Sequence, residues 1–522
     1  MRRGQAVRSG AESLGAAGGP RRRSRREVGG LKQLPWRNLV NPYKPIEVLT
    51  PEQLDRIHDA SMRILETYGL EFLNDEALGI LEKAGATVDR SNNRVRFDRG
   101  LIADYVAKAP SEFTLHARNP ARNVRIGGAN VNFCTVSGAP NCSDLDRGRR
   151  PGSFADFSNL LKLAHSLNII HVAAGYPVEP IDIPPSIRHL DCHYAYITLT
   201  DRVWQPSGIG PHRVLDGIAM NCIARGISRE ELAEKPGLLT TINTNSPLRV
   251  DGAMLDGLMA MARHGQANVI TPFTLSGAMA PATLAGALAQ QNAEALGVIA
   301  FTQMVRAGAP VLYGGFTSNV DMKSGAPAFG TPEYTLGALA GGQLARRYGL
   351  PYRSSAPCAA NAVDAQAAYE TEMSAWGAVM GHASLVKHGA GWMEGGLVAS
   401  FEKMIVDAEI LQMMAELLQP IEVNDDTLGL DAIAEVGPGG HFFGAAHTLA
   451  RYETAFYAPI LSDWRNFESW REAGAQDTAQ RANALWKRIL ADYTPPPLDP
   501  AIDEELQAFI AKRKEEGGID MS

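Results

Sequence analysis

Three residues suited to chemistry share one loop: His388, Trp392 and Glu394, in Ala383-Ser384-Leu385-Val386-Lys387-His388-Gly389-Ala390-Gly391-Trp392-Met393-Glu394-Gly395-Gly396-Leu397. An imidazole exchanges protons or hydrogen bonds near neutral pH, a carboxylate orients it or faces a cation, and an indole face attracts cations. The residues ahead of His388 read as a buried strand, and behind the glycine-spaced loop an amphipathic helix is predicted from about Phe401 to Leu418. A βα unit presents polar side chains at the carboxyl end of its strand in this way. On this loop alone, a strand-end histidine with a satisfied ring and a tryptophan buried for packing would look the same.

What sets the loop apart is that the chain before it repeats the unit. Eight short apolar runs recur, most of them followed by a helical pattern: Val131 to Val136, Ile169 to Ala174, Ala195 to Leu199, Leu238 to Ile242, Val269 to Leu275, Val311 to Tyr313, Pro351 to Ser355 and Ala383 to Val386. Strands alternating with helices on this scale predict an α/β fold, a (β/α)8 TIM barrel. A doubly wound sheet is the second choice, but the Gly-x-Gly-x-x-Gly phosphate fingerprint after a first strand is absent. Barrel enzymes carry their chemistry on the loops that follow the strands, so the residues past each run become candidates. These are Gly138 and Asn141; Tyr176; Thr200 and Asp201; Asn243 and Asn245; Phe273 and Ser276; Phe316, Thr317 and Asn319; Cys358 and Asn361; and the three of the last loop. The set is rich in amides, hydroxyls and rings and poor in carboxylates, unlike a paired-acid hydrolase or a site for a hard metal ion.

The 522 residues, 45% hydrophobic and 20% charged, suffice for one large domain with additions or for two domains. A net charge of -7 argues against a nucleic-acid footprint, and no apolar run approaches the length that spans a bilayer. The 5 cysteines, Cys134, Cys142, Cys192, Cys222 and Cys358, are few and scattered, as in a reducing compartment, so a cytoplasmic location is expected. Residues 1–40 read as a disordered basic arm, with Arg2, Arg3, Arg8, Arg21, Arg22, Arg23, Arg25 and Arg26 among Gly, Ala and Ser, and with order beginning near Leu34-Pro35-Trp36. Residues 41–128 read as an N-terminal α+β flank. There Thr50 and Pro51 open a helix, Asn74 to Ala84 and Leu101 to Lys108 give two more, and Arg94 to Phe97, Glu112 to Ala117 and Asn123 to Ile126 alternate as strands. The barrel is assigned 129–400, and its last helix with a C-terminal helical extension 401–522.

Two spacings are metal-like. His189, Cys192 and His193 would share one helical face and could ligate zinc. The cluster precedes the run Tyr194 to Leu199, however, and is therefore expected at the end of the barrel remote from chemistry. Gly437-Pro438-Gly439-Gly440-His441 with His447 lacks a third ligand and reads as helix capping and a loop tying the C-terminal region to the barrel. No metal site is expected.

Several phrases, taken in order, resemble the trimethylamine and glycine betaine:corrinoid methyltransferase superfamily. They are Ala117-Arg118-Asn119-Pro120; Ser246-Pro247-Leu248; Leu284-Ala285-Gly286-Ala287 with Asn292-Ala293-Glu294; Phe329-Gly330-Thr331-Pro332-Glu333; Asp364-Ala365-Gln366-Ala367-Ala368-Tyr369-Glu370; the His388 to Leu397 loop; Glu402-Lys403 with Asp407 and Glu409; and Val436-Gly437-Pro438-Gly439-Gly440. The resemblance runs from about Asn41 to the Trp464 to Asp492 region, and it implies a TIM barrel that moves a methyl group from an amine to the cobalt of a separate corrinoid protein. Founding members of that superfamily carry pyrrolysine just before the segment matching Asp364-Ala365-Gln366. Here Ser354 to Asn361 are ordinary residues, which places the chain with the non-pyrrolysine branch and implies glycine betaine or a similar quaternary amine rather than trimethylamine.

The candidates suit such a substrate. A quaternary ammonium ion that gives up a methyl leaves as a neutral tertiary amine, so neither a proton nor a covalent electrophile is needed. The protein has to hold the cation and keep water away. Ring faces attract a desolvated quaternary ammonium ion by about 1–2 kcal/mol each, and Tyr176, Phe273, Tyr313, Phe316 and Trp392 are placed to supply them. A betaine carboxylate needs donors: His388 comes first, Asn243 and Asn245 next, while Glu394 would face the cation or orient His388. The expected partners are a small quaternary amine and a cognate corrinoid protein, with self-association left open. Two other readings are carried: a barrel lyase or hydrolase, favoured by a metal at the His189 cluster, and a non-catalytic betaine-binding protein.

The Asp-x-His-x-x-Gly motif by which corrinoid carriers bind cobalt is not found, and His58 and Asp59 stand in the reverse order. No tightly bound cofactor is therefore expected. The visible spectrum of the purified protein should lack corrinoid bands, and one corrinoid per chain would contradict this.

Overall fold

The computed structural model describes residues 27–28 and 31–519, so the arginine-rich arm expected at the start of the chain lies outside the described residues. Eight parallel strands form the barrel: β1 (Asn130–Thr135), β2 (Val172–Ala173), β3 (Val203–Trp204), β4 (Leu239–Thr244), β5 (Ala267–Pro272), β6 (Val311–Gly314), β7 (Tyr352–Ser355) and β8 (Leu385–Ala390). Each pairs with its neighbours in sequence, and β8 returns to β1. The join between β3 and β4 is a single parallel bridge from Trp204 to Leu238, and it closes the ring. Strands covered on both faces must be apolar or internally satisfied throughout, and all six residues of β5 are buried.

Each strand is followed by a helix on the outside: α1 (Phe154–Ser166), α2 (Arg188–Leu199), α3 (Pro211–Arg225), α4 (Gly252–Arg263), α5 (Leu284–Val305), α6 (Pro332–Arg347), α7 (Ala365–Met380) and α8 (Phe401–Leu417). The third strand differs from expectation. Ala195 to Leu199 is the last turn of α2, and the strand is the two-residue Val203–Trp204. A short buried run carries no period, so a helix buried by its neighbours and a core strand look alike there. Thr200 and Asp201 consequently lie ahead of β3, at the amino ends of the strands. His189, in the first turn of α2, comes to the carboxyl ends, opposite to its expected place.

The helix α8 also departs from its predicted amphipathic character, being buried around almost its whole circumference. The helix Thr478–Ala491 packs on its outer side. Its polar residues are satisfied internally. Glu402 accepts from the Trp486 indole and the Asn483 amide (both 2.9 Å), and Glu409 from the backbone N–H groups of Ile460 (2.8 Å) and Leu461 (3.1 Å). Asp407 accepts from the Gly391 N–H (2.8 Å) and pairs with Lys403, whose ammonium also donates to Thr371 on α7 (2.7 Å).

The amino end of the barrel is plugged. The segments Glu112–Leu115 and Val124–Gly127 pair as a hairpin and set Leu115, Val124 and Ile126 in one buried cluster with inward residues of the strands, among them Cys134, Val203 and Leu239. The rest of the flank follows the sequence: Thr50 and Gln53 form a capping box on Pro51–Arg63, and Ser61 on that helix donates to the Ala289 carbonyl of α5 at 2.9 Å. Residues 33–40, which composition groups with the basic arm, instead lie on the barrel. Gln33 is buried and bonds both Ser166 and Asn168, and Leu39 pairs with Val131.

Residues 422–458 cluster as a unit of their own. Within it Asn424 caps Asp425–Leu428, Leu430–Val436 ends at Gly437 with φ 66°, and Arg451 pairs with Asp426. Among the described residues no helix is long and apolar enough to cross a membrane.

Replacing Asp407 by alanine leaves the Lys403 ammonium buried without its counter-charge and frees the Gly391 N–H. Stability should fall by about 3–5 kcal/mol in denaturant unfolding. A loss below about 1 kcal/mol, the size of an exposed pair, would show that Lys403 finds water.

Candidate active site

With the amino end filled by described residues, the barrel opens at the carboxyl ends of its strands, where a cavity of about 760 Å³ is lined by residues from all eight βα units. Its floor is formed by β4, β7 and β8. Strand alternation admits every second side chain to the lumen, but β8 breaks the rule. Between Val386 and Ala390 it advances four residues while β1 advances two, from Phe133 to Thr135. His388 sits inside this irregularity with φ 55°, a left-handed conformation that costs a non-glycine residue energy. As a result the adjacent Lys387 and His388 both reach the cavity.

Lys387 is 2% exposed, and its ammonium donates to Gln205 after β3 and to Thr241 on β4, both at 2.8 Å. Arg353, at the second position of β7, is also 2% exposed, and its guanidinium lies 5.3 Å from the ring centre of Phe316. Its Nε and Nη1 are buried with no hydrogen-bond partner. Burial, reinforced by Arg353, lowers Lys387 from the usual 10.5 to about 7, and burial lowers Arg353 to about 10. His388 is held well below its ordinary value by burial and then by these two cations, so its ring is neutral at physiological pH. Its Nδ1 lies 3.1 Å from the Ser355 hydroxyl.

Past the strand ends an aromatic wall begins. Phe273 stacks on Phe316 at 5.1 Å between centroids, Phe316 meets His388 edge-on at 5.7 Å, and Trp392 lies 4.0 Å from the His388 ring. Trp392 is fixed by its indole N–H, which donates to the Cys358 carbonyl at 3.1 Å.

The loops carrying these side chains are pinned by buried carboxylates on the outer helices. Glu294 on α5 accepts from Thr244, from Ser246 (2.7 Å) and from the Leu248 N–H (2.9 Å). Glu370 on α7 accepts from the N–H groups of Ala359 (2.8 Å) and Ala360 (3.0 Å), and Asp407 holds Gly391. The phrases containing Ser246 and Glu294 are thus two sides of one contact.

Seven of the nine site residues named from the sequence line the cavity: Tyr176, Asn243, Asn245, Phe273, Phe316, His388 and Trp392. Asn243 and Asn245 stand exposed on its β4 side, and the Asn245 side-chain carbonyl is taken by the Asp251 N–H at 2.9 Å. Tyr313 and Glu394 are not brought in. The Tyr313 hydroxyl donates to Asn292 on α5 (3.0 Å), and Glu394 pairs with Arg149 at 3.0 Å. Four polar residues that line the cavity were not named from the sequence, namely Arg353, Lys387, Gln205 and Thr241. The available signal was a cation in the middle of each of two buried strands, where charge is costly without a purpose.

His189 reaches the cavity, but its Nε2 lies 2.8 Å from Asp216, which also accepts from Arg513 (2.8 Å). Among the described residues no three His, Cys, Asp or Glu side chains are placed to hold a metal ion.

A family profile described as trimethylamine methyltransferase (MTTB) matches residues 15–518. The chain is 40% identical over 472 residues to the glycine betaine methyltransferase of Desulfitobacterium hafniense strain Y51, covering 90% of this chain and 98% of that one. It is 31% identical over 476 residues to a trimethylamine methyltransferase of D. hafniense strain DSM 10664 / DCB-2, with 90% and 95% covered. A trimethylamine methyltransferase of Methanosarcina mazei is 28% identical over 485 residues.

The depressed Lys387 gives a pH test. Between about 7 and 10.5 the unfolded chain binds a proton at this lysine that the folded chain does not, so the group adds stability as pH rises through that interval and withdraws it as pH falls. In denaturant unfolding across this range the wild type should gain up to about 1.4 kcal/mol per pH unit over Lys387→Met. Parallel curves would show that Lys387 titrates normally.

Proposed function

The chain belongs to the trimethylamine methyltransferase family, and on that footing we propose that it takes a methyl group from a quaternary amine, glycine betaine or a close analogue, and delivers it to the Co(I) of a corrinoid carried by a separate protein. The observation that carries this reading is the wall of Phe273, Phe316 and Trp392 beside a neutral His388, in a cavity whose one described carboxylate, Glu179, is paired with Arg188. Such a wall suits a permanent cation, whose charge is spread over its methyl groups and needs ring faces rather than a point anion. The cavity holds more than a small amine, which leaves the mouth free for the acceptor.

The methyl acceptor supplies both electrons of the new carbon–cobalt bond, and the pair of the broken carbon–nitrogen bond leaves with the tertiary amine. No proton moves, so no residue need act as acid or base. The work of the chain is placement: the rings fix the ammonium group with one methyl toward the mouth, and the pinned loops exclude water from its flanks. A hydrolase or lyase would need an acid–base pair, whereas the cavity's one described carboxylate, Glu179, is tied to Arg188 at 2.6 Å. The five cysteines, none of them in a disulfide, fit the cytoplasm.

Incubation with cob(I)alamin and a panel of amines tests the reading. Glycine betaine or an analogue should consume cob(I)alamin and trimethylamine should not. Trp392→Ala should lower kcat/KM roughly 30-fold, the equivalent of about 2 kcal/mol from one desolvated ring face. Betaine binding with no methylation of any corrinoid would leave a binding protein instead.

A further inference from the structure

The cavity is electropositive although the proposed substrate is a cation. Its described lining includes Arg188, Arg213, Arg353 and Lys387 against Glu179 alone, and Glu179 is committed to Arg188. A cation without an anionic part would be repelled from such a lumen, so the substrate has to bring a negative charge of its own. We propose that Arg353 and Lys387, assisted by Gln205 and Thr241, form a carboxylate subsite on the cavity floor, selecting a zwitterion that enters carboxylate first and leaves its trimethylammonium end at the aromatic wall. This rests on the transfer reading above and adds the residues that choose the substrate.

The donors are present and only partly committed. The guanidinium of Arg353 has buried N–H groups at Nε and Nη1 with nothing to bond, a state that proteins rarely leave uncorrected. In its charged form, which a bound carboxylate favours, Lys387 has three protons, and its two recorded bonds go to Gln205 and Thr241. Both acceptors are neutral, so neither cation has a counter-charge of its own. A planar carboxylate seated here would take N–H bonds from both cations and cancel their mutual repulsion.

Depth fixes the orientation. Arg353, Thr241 and Lys387 lie within β7, β4 and β8, whereas Phe273, Phe316 and Trp392 all follow the ends of their strands. The anion site is therefore inside and the cation site outside. The two adjoin, because the Arg353 guanidinium lies 5.3 Å from the Phe316 ring centre, so the tether between carboxylate and ammonium must be short. His388, neutral and bonded toward Ser355, lines the same cavity against the Phe316 and Trp392 rings.

The subsite is tested by calorimetric titration of three ligands of nearly equal shape into the full-length protein. Glycine betaine carries both charges, choline lacks the carboxylate, and 3,3-dimethylbutanoate keeps the carboxylate with carbon in place of nitrogen. The wild type should bind betaine well and choline at least tenfold more weakly. Arg353→Met and Lys387→Met should each weaken betaine and 3,3-dimethylbutanoate by about 10- to 150-fold, as for a lost hydrogen bond to a charged group, and Arg353→Lys should recover part of it. The ligand-free Arg353→Met protein should melt at or above the wild-type temperature, since it loses an unpaired buried charge; a structural arginine would lower it.

Unchanged betaine affinity in both methionine variants, or choline binding as tightly as betaine, would overturn the subsite. The two proposals fail separately. Methyl transfer from betaine with unaltered KM in the variants removes the subsite and keeps the transfer. Loss of carboxylate binding in the variants of a protein that methylates no corrinoid keeps the subsite and removes the transfer.

Discussion

The site rests on an ion pair that lies outside the cavity lining. Asp407 and Lys403 face each other one turn apart inside α8, both fully buried, and each holds a second partner on another element: Gly391 beyond β8 and Thr371 on α7. A buried pair of this kind adds little net stability, because desolvation offsets most of the attraction. Its value is geometric, since it fastens the loop that carries Trp392 directly to the helix behind it. Glu294 and Glu370 fasten the loops after β4 and β7 in the same manner. Helix-borne carboxylates, turned away from the lumen and consumed by backbone donors, thus account for a mouth that is acid-poor on its inner face and still rigid.

Inside that frame the polarity is sorted by depth. Cations occupy the strands and ring faces occupy the rim, an order set by which residue falls within each strand and which falls past its end. Low dielectric strengthens every interaction on the floor and makes unmatched charge expensive. Two cations have remained there nonetheless, with Arg353 lacking partners for two of its N–H positions.

Much of the fold was legible because its signals are local. The Thr50 cap, the period-two hairpin of Glu112–Leu115 with Val124–Gly127, and seven of the eight barrel strands follow from side-chain pattern alone. The failure at Ala195 to Leu199 has a physical cause, since a helix packed on several sides loses the polar face that gives it a period. The ring-bearing wall was legible from residue type and strand-end position. The floor was not. Arg353 and Lys387 stand within short buried strands, where a charge is not expected, and His388 reaches the lumen beside Lys387 only through an irregularity in backbone register that no side-chain pattern announces. Tyr313 failed for the opposite reason: it has a suitable ring at a suitable strand, but alternation turns it outward to Asn292.

The irregular stretch of β8 also changes which alterations the barrel could absorb over evolutionary time. At Lys387 or His388 an exchange of side chain alters one function and leaves the neighbours in place. The length between Val386 and Ala390 is a different kind of quantity, because the surplus of β8 over β1 is what lets two consecutive residues share one side of the strand. Exchange of one side chain keeps this path of the backbone, whereas deletion of a codon in the stretch would take up part of the surplus that brings Lys387 and His388 to the lumen together. In this barrel, then, the counting of residues in one strand is a heritable trait as much as their identity.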